Sequence, residues 1–135
     1  MTKPKMERIH TDKVAEPEPG LWSNCKRIGD WVFVSGFVAL NAKGEIVGPN
    51  DPGAQARFVF SNIKHYFEAA GGKMNDIVKL QIYLTDMRHR PPVLDARRQF
   101  FTGDFPCSTL VGVTSLFDTR ALVEIDCIGH IGAGV

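Results

Sequence analysis

The chain is short of several things that would define a function class. Sixteen Lys and Arg nearly cancel fifteen Asp and Glu across 135 residues, leaving a net charge of +1. A protein that grips phosphate backbones by charge needs a basic excess, so nucleic acid is not an expected partner. Long apolar runs are missing too. Stretches such as Trp31–Val34 and Ile82–Leu84 fall far below the roughly 20 residues of a spanning helix, and no membrane partner is expected. The N-terminal lysines have no apolar segment behind them, which argues against a secretory signal. Cysteine is scarce. Cys25, Cys107 and Cys127 are odd in number, widely spaced and form no CxxC. That argues against a disulfide framework or a zinc knuckle and for a reducing, cytoplasmic setting. His10, His65, His89 and His130 form no HxH or HExxH pair, so no metal site is expected. The glycines never fall into GxGxxG or GxxxxGK[ST], and no nucleotide loop is supported.

What is present reads as one domain over residues 1–135, with 44% hydrophobic residues to build its core. Residues 1–20 form a polar leading arm. Its run Glu16-Pro17-Glu18-Pro19-Gly20 resists both helix and central strand, and a short edge strand fits only near Met6–His10. Cys25–Ile28, the turn Gly29-Asp30, and Trp31–Gly36 then predict a hairpin. Asn50 or Asp51 can cap a helix with Pro52 in its first turn, and Ala56, Val59, Phe60, Ile63, Phe67 and Ala70 form its apolar face. Gly71-Gly72 ends it. Asp76–Asp86 alternates as a strand, with Val78, Leu80, Ile82 and Leu84 on one face and Lys79, Gln81 and Tyr83 on the other. Pro91-Pro92 opens a second helix with Val93, Ala96 and Phe100 on its stripe, ended by Gly103 and Pro106. Strands Ser108–Leu116 and Ala121–His130 close the chain.

The order β-β-α-β-α-β-β predicts an α+β fold: a mixed sheet with two helices on one face. Val32, Val34, Val111, Val113, Val123 and Ile125 cannot all point toward the helices by period alone. A lone subunit should not expose a large apolar patch, so burial against copies of itself is expected.

Candidate chemistry sits in few places. Glu124 and Asp126 lie two apart in the last strand and share a face with Leu122 and Ile128. Burial would raise their pKa values and fit them for moving protons near neutral pH; the alternative is a solvated or salt-bridged surface pair. Cys107 follows Phe105-Pro106 beside Ser108 and Thr109. It is a nucleophile or simple packing. Ser35-Gly36 can present a hydroxyl and a backbone N–H, or form a bulge. Trp22 is a pocket wall or core. Arg88, Arg90, Arg97 and Arg98 read as surface charges.

Several segments together resemble the RidA/YjgF family of imine and enamine deaminases. They are Gly29–Gly36, Gln55-Ala56-Arg57 with Asn62, Glu68–Gly72, Asp76–Lys79, Tyr83–Met87 and Val123–Ile128. The resemblance runs from about Gly20 to His130. It implies a chorismate-mutase-like subunit and a homotrimer with ligand sites in the clefts between subunits. It also implies hydrolysis of 2-imino or 2-enamino acids to 2-keto acids and ammonia, with no metal and no organic cofactor. By the same resemblance Glu124 orients the attacking water, Ser35 and Gly36 line the pocket, and Trp22 stands where many members have a closing Tyr. Pro106-Cys107-Ser108-Thr109 occupies a Pro-Ala-Arg-Ser/Thr segment, which makes Cys107, Ser108 and Thr109 substrate-binding candidates. Leu110 and Leu94 stand where the family has a cysteine and an asparagine.

Ser108 therefore replaces an arginine that clamps the substrate carboxylate. A guanidinium binds a carboxylate bidentately, and losing one buried partner costs on the order of 2–5 kcal/mol, roughly 30- to 5,000-fold. The substrate lacks that carboxylate, or Arg88, Arg90 or Arg120 supplies the charge, or the site only binds. The expected function is hydrolysis of a small imine or enamine with altered substrate choice. The alternatives are a non-catalytic small-molecule-binding or protein-protecting trimer, and a ribonuclease, a label that some family members carry.

Overall fold

The computed structural model describes residues 3–135. Its sheet opens on a hairpin closed by two residues: β2 (Cys25–Ile28) pairs antiparallel with β3 (Trp31–Phe37), with Ile28 opposite Trp31 and Gly29 at φ 57° in the turn. A short strand from the leading arm, β1 (Met6–Arg8), adds to the outer side of β2. It is the edge strand that the sequence allowed near Met6–His10. Helix α1 (Pro52–Ala69) starts where its cap is strongest, the Asp51 carboxylate accepting from the Ala54 N–H at 3.0 Å. It stops at a Schellman turn. Gly71, at φ 91°, donates to Glu68 O, and Gly72 donates to Phe67 O at 2.7 Å.

A 3₁₀ turn at Met74–Asp76 leads into β4 (Ile77–Leu84). A parallel partner for β4 demands a crossover, and α2 (Arg90–Arg98) supplies it before β5 (Cys107–Gly112). The last strand, β6 (Val123–His130), lies between β3 and β4 and is antiparallel to both. The six-stranded order is β1-β2-β3-β6-β4-β5, a mixed sheet in an α+β fold. Val32, Val34, Leu80, Ile82, Leu84, Val123, Ile125 and Cys127 bury one sheet face against Val59, Phe60, Ile63 and Phe67 of α1 and Val93 and Ala96 of α2. Both helices thus cover the same side.

Three expectations are corrected. Val78 does not share the face of Leu80. The β4/β6 register shifts between Ile77 and Lys79, so Ile77 turns inward and Val78 is exposed. Helix α2 ends at Arg98, short of Phe100, where the N–H groups of Gln99 and Phe100 close i→i+3 bonds to Ala96 O and Arg97 O; Phe100 still packs on the core beside buried Phe101. Strand β5 spans Cys107–Gly112 rather than Ser108–Leu116, since its pairing with β4 ends at Leu84–Gly112. Of the valines and isoleucine in question, Val32, Val34, Val123 and Ile125 do face the helices, while Val111 points away. That uncovered face also carries Trp31 and Phe33, which are 45% and 44% exposed.

Candidate functional site

The uncovered sheet face carries the titratable groups. In β6, Glu124 lies opposite Tyr83 and Asp126 lies opposite Gln81. The Tyr83 hydroxyl stands 3.1 Å from Asp126 Oδ2 and 2.8 Å from Gln81 Oε1. Burial pushes the Asp126 carboxyl up, while the Tyr83 hydrogen bond and Lys79 pull it back. Glu124 has no such relief. Burial, and then the charge of Asp126, hold its pKa above the ordinary carboxylate value. It is half-buried, and no hydrogen bond reaches it from the described residues.

Gly36 makes room for that carboxylate. A Cβ at position 36 would stand 2.5 Å from Glu124 Oε2. The β3/β6 register shift between Val34 and Phe37 brings Ser35 and Gly36 to this spot. Ser35 is tied down: its N–H donates to Asn24 O at 2.9 Å and its hydroxyl to Ser23 O at 2.6 Å. Trp22 is half exposed and held by its indole N–H, which donates to Asn24 Oδ1 at 3.0 Å. Asn24, itself buried, anchors on Ala15 O and the Tyr66 hydroxyl. Trp22 lines two hollows. One of about 580 Å³ is floored by Phe33 and Ser35; one of about 410 Å³ reaches Gly36, Phe37 and Asn62.

The remaining candidates lie elsewhere. Cys107 and Thr109 pair with Lys79 and Gln81, so they share the uncovered face, at its far edge. Ser108 pairs with buried Leu80 and faces the other way. There Arg97 Nη1 of α2 donates to Ser108 Oγ at 3.0 Å. Two strands separate β3 from β5, which at about 4.8 Å per strand is roughly 14 Å. Within one chain the structure therefore brings together Trp22, Ser35, Gly36 and Glu124. It leaves Cys107, Ser108 and Thr109 apart from them.

Sequence reasoning did not anticipate the contact between Arg97 and Ser108. The helical spacing of Arg97 from Arg90 and Leu94, at seven and three residues, places the three on one face of α2 and was the available signal. Arg88 and Arg120, offered as sources of replacement charge, are already committed. Arg88 holds Asp86 at 2.6 Å and Arg120 holds Asp118 at 2.8 Å. Among the described residues no group of three His, Cys, Asp or Glu converges as a metal site, and no helix is long and apolar enough to cross a membrane.

Known proteins share this architecture. The family model described as endoribonuclease L-PSP matches residues 15–131. A protein of the mite Dermatophagoides farinae, named 2-iminobutanoate/2-iminopropanoate deaminase, is 34% identical over 125 residues, covering 90% of this chain and 94% of its own. RidA from the Antarctic bacterium Psychrobacter sp. PAMC 21119 superposes with a TM-score of 0.83 at 32% identity, covering 93% of this chain and 99% of that one. A protein of unknown function from Pseudomonas aeruginosa superposes with a TM-score of 0.87 at 32% identity, covering 97% and 96%. The match spans all but the ends of the chain and agrees in sequence and in fold, and on that ground this chain belongs to the endoribonuclease L-PSP family, which includes RidA.

Proposed function

We propose that this chain hydrolyses a small imine or enamine to a carbonyl compound and ammonia, in clefts between the subunits of a homotrimer with chorismate-mutase-like topology. The observation that carries the reading is Glu124. It is a half-buried carboxylate without a hydrogen-bond partner, beside a glycine, with its pKa raised. Such a group takes a proton from water as the oxygen attacks the C=N carbon, giving a carbinolamine. That proton goes to the nitrogen of the carbinolamine; the carboxylate then takes the hydroxyl proton and delivers it to the same nitrogen as the C–N bond breaks, so ammonia leaves and the oxygen becomes the carbonyl. The balance is imine plus water to carbonyl plus ammonia. No redox or group-carrying cofactor enters it. The name of the mite relative, at 34% identity, supports the same reaction class.

The cleft reading has its own support. Trp22, Ser35 and Gly36 lie at one side of the sheet and Cys107 and Thr109 at the other, while Trp31, Phe33 and Val111 leave apolar surface uncovered between and around them. One association of copies buries that surface and joins the two halves of the pocket. Ser108 in place of the family arginine makes the substrate choice differ from that of typical members.

The test generates 2-imino acids in situ with an amino acid oxidase and traps the remainder with semicarbazide. The chain is expected to speed imine loss, and Glu124→Gln to abolish that effect. Sedimentation is expected to show a particle three times the 15.0 kDa chain, broken by Phe33→Asp. Binding of carbonyl compounds with no turnover across a panel of imines would replace this reading with the binding-module one, which the hydroxyl of Ser35, already spent on Ser23 O, favours. The net charge of +1 argues against RNA as substrate. RNA cleavage by the homogeneous protein, lost in Glu124→Gln, would reverse that judgement.

A further inference from the structure

One polar side chain of the interior is left without a partner. Asn62, on α1, is only 6% exposed, and its amide makes no hydrogen bond with any described residue. The other three buried polar residues are all engaged. Asn24 bonds to Ala15 O, to the Tyr66 hydroxyl and to the Trp22 indole. Gln55 donates to Gly48 O and Arg120 O and accepts from the Leu122 N–H. Asp76 accepts from the N–H groups of Lys73 and Gly134. An amide offers two donors and a carbonyl acceptor, and leaving them unmet in an interior costs more than their absence would. The fold does not use those of Asn62, so a group from outside the chain must meet them.

Asn62 lines the hollow of about 410 Å³ between α1, the end of β3 and the leading arm. Phe37, Val38 and Phe58 give that hollow apolar walls, and Phe37 is held by stacking on Tyr66 at 5.8 Å and 16°. Glu124 does not line it, so it is a space apart from the reactive carboxylate. Its charged wall residues offer a ligand little. Lys13 is exposed, and the Glu16 carboxylate already accepts from the Tyr66 hydroxyl at 3.0 Å and from Arg8 at 3.1 Å. A concave site with mostly apolar walls and one convergent polar group suits a ligand of the same make-up, and aromatic walls favour an aromatic ring. We propose that this hollow binds a small neutral molecule, one aromatic ring with a single hydrogen-bonding substituent. The ring packs against Phe37 and Phe58, and the substituent meets the Asn62 amide. The site stands whether or not Glu124 hydrolyses an imine.

The probes are benzamide and phenol, with benzoate and toluene as controls, titrated calorimetrically against the full chain. Wild type, Asn62→Leu and Ala42→Trp are compared, and the melting temperature of each is measured. Benzamide and phenol are expected to bind wild type at one site per chain. Benzoate, whose charge would be buried unpaired, and toluene, which leaves the amide unmet, are each expected to bind about ten-fold or more weakly. Asn62→Leu keeps the shape of the side chain and removes its polar atoms. It is expected to weaken benzamide about ten-fold, to tighten toluene, and to raise the melting temperature, since an unpartnered buried amide is gone. Ala42 lines the same hollow at an exposed position, so Ala42→Trp fills its rim and is expected to abolish binding with the fold intact. No saturable binding of benzamide or phenol by wild type overturns the proposal. So does equal benzamide affinity in wild type and Asn62→Leu, or binding that survives Ala42→Trp, which would place the ligand elsewhere. A lower melting temperature for Asn62→Leu would show that the amide serves the fold, and benzoate bound as tightly as benzamide would show that the ligand is not neutral; either result overturns it as well.

Discussion

Gly36→Ala isolates the placement of Glu124. Gly36 does not occupy the left-handed region, so alanine is permitted there and the added methyl is the whole perturbation. That methyl would stand 2.5 Å from Glu124 Oε2, 2.9 Å from Cδ and 3.1 Å from Cγ, where ordinary contacts begin near 3.4 Å. The carboxylate must therefore retreat by about 1 Å. A misplacement of that size in a reacting group costs about 100-fold in rate, or about 2.7 kcal/mol of barrier. Stability should hardly change. Forcing the glutamate off its rotamer costs about 0.5–1.5 kcal/mol, and replacing glycine by alanine gains about 0.4–1 kcal/mol through the unfolded chain. The assay is kcat for imine loss under semicarbazide trapping, with thermal unfolding alongside. The expected result is a kcat lower by about two orders of magnitude with a melting temperature within a few degrees of wild type. If Gly36→Ala keeps kcat within a few-fold of wild type while Glu124→Gln is inactive, the close fit of carboxylate against glycine is irrelevant to the chemistry and the argument fails.

Gly129→Ala should act oppositely, on stability. Its Cβ would meet Phe67 Cζ at 2.6 Å and Asp76 O at 2.8 Å, a buried ring and a backbone atom, so urea midpoints should report a loss toward the upper part of about 1–3 kcal/mol; an unshifted midpoint contradicts the α1–β6 contact. Glu124→Gln should be more stable than wild type at pH 7, because a carboxyl whose folded pKa is raised stabilises the fold below its unfolded pKa and loses that contribution as pH rises through the folded one. The gap between variant and wild type should close as pH falls toward 4, and a gap that widens refutes the direction of the shift. Ellman's reagent at pH 8 should titrate exposed Cys107 in the native protein; Cys25, its thiol pushed up to about 12, and Cys127, buried and raised further from reach, should react only in denaturant.

The parts of the fold legible in the sequence are those written in local chemistry. The Gly29-Asp30 turn, the Asp51 cap and the Gly71-Gly72 stop each act within a few residues, so the hairpin and α1 follow from composition and spacing. The face assignment of β4 fails at Val78 because a register shift against β6 reverses the alternation there. That shift is a property of two strands some fifty residues apart. The inward turn of Ser108 has the same origin. Which residues of β5 face α2 depends on the parallel register with β4, and no short-range signal states it. Arg97 was visible as a helical charge, but its partner on β5 is a tertiary contact.

The same register bears on how a pocket can be assembled. Glu124 and Ser108 lie on opposite faces of the sheet, in strands separated by β4, and Ser108 is three residues along β5 from Val111, which shares Tyr83 as a neighbour with Glu124. With strands about 4.8 Å apart and about 3.3 Å of rise per residue, that displacement exceeds roughly 10 Å before the sheet's own thickness is added. In a 2-imino acid the carboxylate carbon is bonded directly to the carbon that water attacks. No such molecule can touch the carboxylate of Glu124 and the hydroxyl of Ser108 in one chain. If both groups serve one ligand, they come from different copies, and the exposed Trp31, Phe33 and Val111 give those copies apolar surface on which to meet. Oligomer and chemistry then stand or fall together: a monomer could keep Trp22, Ser35, Gly36, Cys107, Ser108, Thr109 and Glu124 and still have no site.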